Sequence, residues 1–232
     1  MPHAAPEPAA FEPRGPHAVE HRDVEYARPA GVPLLARVYR PVGVPGPLPA
    51  LIDVHGGAWS HFDRTADAYF DRALAACGMV VVALDFRQGK EGRYPLGMAD
   101  ITAGIRSRRD EPPDARRDRF FRPEHLIAAH EMFFADEAAM SRASAQRIVE
   151  AGEFERLPPL WIAHPELDEN VTLEMTERFV AAYRRAGGEV ELEVFAGVGH
   201  SFANVPGEAA ERCIARMRGF IARQLARVRK AG

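Results

Sequence analysis

The chain is expected to be a single α/β protein, a mainly parallel sheet of about six strands with helices on both faces. Three observations predict this. Short apolar runs alternate with stretches of helical periodicity, the runs carry little internal charge, and glycines or prolines punctuate the joins. The 232 residues suit one such domain, and 47% hydrophobic with 27% charged residues is enough apolar surface to bury a core.

Residues 1–18 are rich in Pro, Ala and Glu and are read as a flexible N-terminal arm, leaving residues 19–232 as the single folded domain. Residues 20–27 and 34–40 alternate apolar with polar side chains at period 2, which predicts two half-buried strands turning around Gly31 and Pro33. Residues 49–54 and 79–85 are apolar runs of the kind buried on both faces of a parallel sheet. The helical stretch between them ends at Gly78.

A helix beginning near Met98 is broken after Arg106 by charge and by Pro112, Pro113 and Pro123. Helical periodicity returns over residues 123–154, with Ser141 or Ser144 as N-cap, and no strand is expected between 87 and 158. Strands are expected again at 159–164 and 189–195, flanking a helix near 172–188, and an amphipathic helix from about 207 closes the chain.

Composition excludes several function classes. A net charge of −3, with no basic stretch interleaved with aromatics, argues against a nucleic-acid partner. No run of 18 apolar residues predicts a membrane span, and the N-terminus has no signal-peptide pattern, so a soluble cytoplasmic protein is expected. Cys77 and Cys213, without a CxxC or a nearby His pair, specify neither a disulfide framework nor a metal site. No motif calls for a cofactor.

Three segments carry chemistry. Asp53-Val54-His55-Gly56-Gly57-Ala58-Trp59 stands where a buried strand ends, and glycines there let backbone amides turn toward a developing oxyanion. Glu166-Leu167-Asp168 follows the next predicted strand but one from the end, where a carboxylate can orient an imidazole. Gly197-Val198-Gly199-His200-Ser201 follows the last strand and offers a loop histidine among small residues. The alternatives are a plain Gly-rich turn for the first, a helix N-terminal carboxylate for the second and a surface histidine for the third. His3, His17, His21, His61, His125 and His130 are read as surface histidines, His55 as a brace for the Gly-rich loop and His164 as the end of a strand.

The segments DVHGGAW, VVVALDFR and YPLGMADI resemble the HGGG-type esterase and lipase branch of the α/β-hydrolases. The resemblance covers most of residues 20–105 and 123–225. It implies that the amides of Gly57 and Ala58 are oxyanion donors with Gly56 allowing the bend, that Asp168 is the triad acid and His200 the triad base, and that the substrate is a small-molecule carboxylic ester. Ala58 stands where the family has a third glycine.

The family's nucleophile elbow, G-x-S-x-G between a strand and a helix, is absent. The serines are Ser60, Ser107, Ser141, Ser144 and Ser201, and Ser201 lies in GHSFA, followed by Asn204-Val205-Pro206-Gly207 rather than by a helix. The nucleophile is therefore unassigned. In the full fold a helix remainder, a central strand, the elbow and its helix would stand where this chain passes from Arg106 to Asp114. Residues 106–122 thus read as a deletion junction. With the central strands gone, the strand ending at Val54 is expected to lie beside the one ending at Ala163. Three functions follow: a catalytically impaired hydrolase, a non-catalytic binding module that pairs an opened sheet edge in a homodimer, or a hydrolase with a displaced nucleophile.

Overall fold

The computed structural model describes residues 11–106 and 123–231, with side chains left aside at 123–127 and from 230 onward. The chain divides into two compact units, residues 1–133 with 214–232, and residues 134–213, where one domain was expected. The deletion junction, residues 107–122 and with it Ser107, lies outside the described residues, as do residues 1–10 of the N-terminal arm. The rest of that arm is anchored. Glu12 N–H donates to the Cys77 carbonyl at 2.8 Å and His17 N–H to the Ala76 carbonyl at 3.1 Å, while Phe11 packs on the core.

The first unit is built on β1 (Val19–Ala27), β2 (Leu34–Pro41), β3 (Ala50–Asp53) and β4 (Val80–Leu84), in the order β1-β2-β4-β3. The β1/β2 and β2/β4 pairs are antiparallel and β3/β4 is parallel. Alternation along the strands sends side chains to two faces. Tyr39, Val81 and Leu51 pack with α1 (Ala68–Ala75) and with Met217 and Ile221 of α7 (Glu208–Ala231). On the other face Val24, Ala36, Leu84 and Ile52 pack with Ile101 of α2 (Leu96–Arg106). Gly78, at φ 89°, turns the chain from α1 into β4, a backbone conformation that only glycine adopts without strain.

In the second unit β5 (Leu160–Leu167) and β6 (Val190–Gly199) pair in parallel and are crossed by α6 (Leu173–Arg185), capped by the Thr172 side chain. Val180, Ala182, Tyr183 and Val190 form its core with Leu160, Ile162 and Leu192. Upstream lie α3 (Pro123–Phe133) of the first unit, then α4 (Glu137–Ala143) and α5 (Ala145–Ala151). Ser144 is the N-cap of α5, whereas Ser141 lies inside α4, whose cap is Asp136. Among the described residues no strand lies between 87 and 158.

The six strands fall where the apolar runs put them, but they form a four-stranded and a two-stranded sheet rather than one. The expected pairing of the strand ending at Val54 with the one ending at Ala163 is not formed: β3 pairs only with β4, and β5 only with β6. The physical reason is that each sheet covers its apolar residues with its own helices, so neither core needs the other sheet.

Candidate active site

The Gly-rich loop begins where β3 ends. Gly57 has φ 113°, and a Cβ there would stand 2.1 Å from the His61 carbonyl oxygen, so this position requires glycine. Gly56 does not: a Cβ added to it meets nothing within 4 Å and its φ is not positive. The bend assigned to Gly56 is therefore made at Gly57, Ala58 and Trp59, the last two at φ 48° and 56°. The Gly57 carbonyl accepts from the amides of Ser60 and His61, both at 3.1 Å, which closes the turn. Among the described residues no acceptor engages the amides of Gly57 and Ala58.

Aromatic contacts support the loop. His55, 4% exposed, stacks on Phe86 with centroids 4.6 Å apart, and its Nδ1 lies 2.6 Å from the Gly56 carbonyl, the bracing role expected of it. Trp59 stacks on Phe133 at 5.0 Å and meets the edge of His130 at 4.9 Å. An apolar pocket of about 390 Å³ opens beside the loop, walled by Val54, Trp59, Phe86, Met98 and Ile101.

Beneath the loop lies an ion network that pattern reading missed. Arg64, 3% exposed, donates from its backbone N–H and Nη1 to Asp85 at 2.8 and 2.9 Å, and from Nη2 to Asp23 at 2.7 Å. Arg37 grips Asp23 bidentately at 2.6 and 2.8 Å. Burial pushes the Asp23 carboxyl up, but the hydrogen bonds from Arg37 and Arg64 outweigh it and hold the group down at about 2. In the sequence these residues look like ordinary polar positions of two alternating strands, a loop and a strand end.

In the second unit, β5 and β6 deliver Asp168 and His200 to neighbouring loops. His200 Nδ1 lies 3.0 Å from Asp168 Oδ2, while Asp168 Oδ1 accepts from the amides of Asn170 and Val171 at 2.9 and 3.1 Å. Burial raises the Asp168 carboxyl, but the bond to His200 and these two amides prevail and keep it below its ordinary value. An ionised aspartate on Nδ1 leaves Nε2 of His200 as the nitrogen able to accept a proton. The His200 side chain is 53% exposed. His164 lies within β5, not at its end, and its Nδ1 sits 3.1 Å from the Thr176 hydroxyl.

The remaining serines do not form an elbow. Ser144 caps a helix, Ser141 lies within one, and Ser201 at φ 61° leads into a short 3-10 turn. Ser60 Oγ lies 2.7 Å from His61 Nδ1. Cys77 and Cys213 are both buried, and burial raises both thiols. Among the described residues no group of three His, Cys, Asp or Glu side chains is placed to hold a metal, and no helix is long and apolar enough to cross a membrane.

Residues 37–111 match the BD-FAE family and residues 124–227 the prolyl oligopeptidase family, the first match running into the expected junction and the second beginning just after it. The chain is 36% identical over 93 residues to the carboxylesterase NlhH of Mycobacterium tuberculosis, covering 38% of this chain and 27% of that protein. It is 34% identical over 64 residues to the gibberellin receptor GID1B of Arabidopsis thaliana, 26% of this chain and 18% of the receptor. The chain thus spans about a quarter or less of the curated relatives it matches. The carboxylesterase EstE1 from a metagenomic library shares the fold at TM-score 0.70 and 19% identity, over 89% of this chain and 90% of the other. A Pyrobaculum calidifontis esterase does so at 0.67 and 19%, over 90% and 86%.

The fold is the one shared by α/β-hydrolase esterases.

Proposed function

We propose that this chain is a catalytically impaired member of the carboxylic-ester hydrolases, one that retains an oxyanion cradle and an acid–base pair but no serine to attack. The observation that carries the reading is the conjunction of unengaged Gly57 and Ala58 amides and the Asp168–His200 bond with the absence of any G-x-S-x-G in the sequence. In the intact chemistry a serine oxygen attacks the ester carbonyl, its proton passes to the histidine, and the amides hold the charge on the carbonyl oxygen. Here Gly57, Ala58, Asp168 and His200 are assigned those roles, Gly56 is a neighbour of the cradle, and the attacking group is left to water. The substrate proposed is a small-molecule ester whose apolar part enters the pocket beside Trp59 and Met98.

Turnover of short p-nitrophenyl esters is expected near background. Rates of about 1–10³ s⁻¹ that His200→Ala abolishes would overturn the reading.

A displaced nucleophile is the second reading, favoured by the Ser60 hydroxyl at 2.7 Å from His61 Nδ1, three residues beyond Gly57. Stable fluorophosphonate labelling lost in Ser60→Ala would establish it in place of the first. The binding-module reading draws on the gibberellin receptors among the relatives, and a homodimer joined through an open edge of β3 or β5 is its expected assembly. Free, buried cysteines support a cytoplasmic location.

A further inference from the structure

Two carboxylates on the α1 face of the first sheet have no counter-ion. Register aligns Asp23, Arg37, Ala83 and Asp53 in one row across β1, β2, β4 and β3, with His21, Tyr39, Val81 and Leu51 in the next. Neighbouring strands stand ~4.8 Å apart, so Arg37 is two strands from Asp53 and one from Asp23, which takes it bidentately. Above this end of the sheet, α1 brings Asp71, 1% exposed, among Leu74 and Ala75.

Asp53 Oδ2 and Asp71 Oδ2 are both sealed from solvent without a hydrogen-bond partner. The charged and titratable groups facing them can be followed element by element. Asp67, at the start of α1, repels Asp53, whose carboxyl also accepts from the Val54 amide, and Asp53 and Asp67 repel Asp71. Arg37 on β2 attracts Asp71 but is spent on Asp23. Tyr39 on β2 is repelled by Asp71, with Arg72 over its ring and linked to His21 of β1. β4 offers Val81 and Ala83, and α7 offers Met217 and Ile221, its Arg218 being turned to the Ala73 carbonyl.

We propose that Asp53 and Asp71 form a proton-loaded carboxyl pair beneath the oxyanion loop, uncharged in the braced state and loosening that loop when it ionises. The coupling is direct in sequence: Asp53 is the last residue of β3, and Val54, His55, Gly56 and Gly57 follow it. Two like charges buried on the same sheet face repel, and Asp53 stands at the strand end that launches the loop. Desolvation, then repulsion from Asp67, pushes Asp53 up to about 7, while desolvation, then repulsion from Asp53 and Asp67, pushes Asp71 to about 8.

The unfolded chain ionises these groups near their ordinary values, around pH 4. Folded protein then binds more protons than unfolded between about pH 4 and 8, so stability falls as pH rises through that window and levels above it.

The test is urea unfolding of the full chain at pH 5.5 and 8.0, for wild type, Asp53→Asn and Asp71→Asn. The wild-type unfolding constant should rise at least tenfold more between the two values than that of either variant. Parallel profiles overturn the proposal. Should a variant fail to fold, carbon NMR of labelled aspartates in the wild type reads the same point: two carboxyls titrating above pH 6 support the pair, and all titrating below pH 5 overturns it. In a Trp161→Phe background, Trp59 emission should shift between pH 7 and 8.5, and Asp53→Asn should remove the shift; an unmoved Trp59 overturns the link to the loop. Stability at pH 8 that rises with one particular cation at constant ionic strength would make the pair a cation site instead.

Discussion

The oxyanion loop and the Asp168–His200 pair are built by opposite means. The loop places Ala58, Trp59 and Phe62 at positive φ, a conformation that costs non-glycine residues of order 1 kcal/mol each, and it stands on buried ions. The pair is held by one hydrogen bond between short loops after two paired strands, with Asp168 further fixed by two amides in its own turn. An arrangement of the first kind persists only while its surroundings enforce it. The second follows from local register, and it needs little beyond the two paired strands.

The largest effect that would break this contrast lies at Arg64. Replacing it by Met removes the guanidinium shared by Asp23 and Asp85 and leaves two buried carboxylates short of partners. Breaking a buried pair from one side costs about 3–5 kcal/mol. Urea denaturation of Arg64→Met should show a loss in that range, with the loop's Trp59 signal lost first. A loss below ~1 kcal/mol would mean that the ions do not brace the loop.

The comparison also marks what pattern can and cannot reveal. All six strands were legible, the first two from period-2 alternation and later ones from apolar runs such as Leu160–Ala163, which report burial whatever lies beside them. That they form two sheets was not legible, since a run does not name its neighbour. Gly56 and Gly57 look alike in a motif, yet only Gly57 meets the His61 carbonyl, a contact made four residues along. Asp168 and His200 were found because each follows a strand directly. Arg64, Asp53 and Asp71 were missed, because their meaning lies in which charges share a face, and that depends on the register of three strands.

A smaller change sharpens the account of strain. Ala58, at φ 48°, holds a backbone conformation that glycine adopts without strain. Glycine would relieve about 1–2 kcal/mol of steric cost and return about half of it as unfolded-state entropy. Ala58→Gly should therefore stabilise the chain by about 0.5–1 kcal/mol in thermal or urea unfolding. Any destabilisation would show that the methyl packs productively and that the loop is less strained than its dihedrals imply.

The smallest effect is expected at His200. Its side chain is 53% exposed, and its bond to Asp168 is a single contact open to water. Exposed pairs of this kind contribute about 0–1 kcal/mol, because solvent and side-chain entropy offset most of the attraction. His200→Ala leaves Asp168 its amides of Asn170 and Val171, so the carboxylate is not stranded. The urea midpoint should move by less than ~0.5 kcal/mol equivalent, against the several expected for Arg64→Met. A loss near 2 kcal/mol would mean that the pair is structural, and its persistence without a nucleophile would then reflect stability rather than the inherited geometry of two adjacent strand ends.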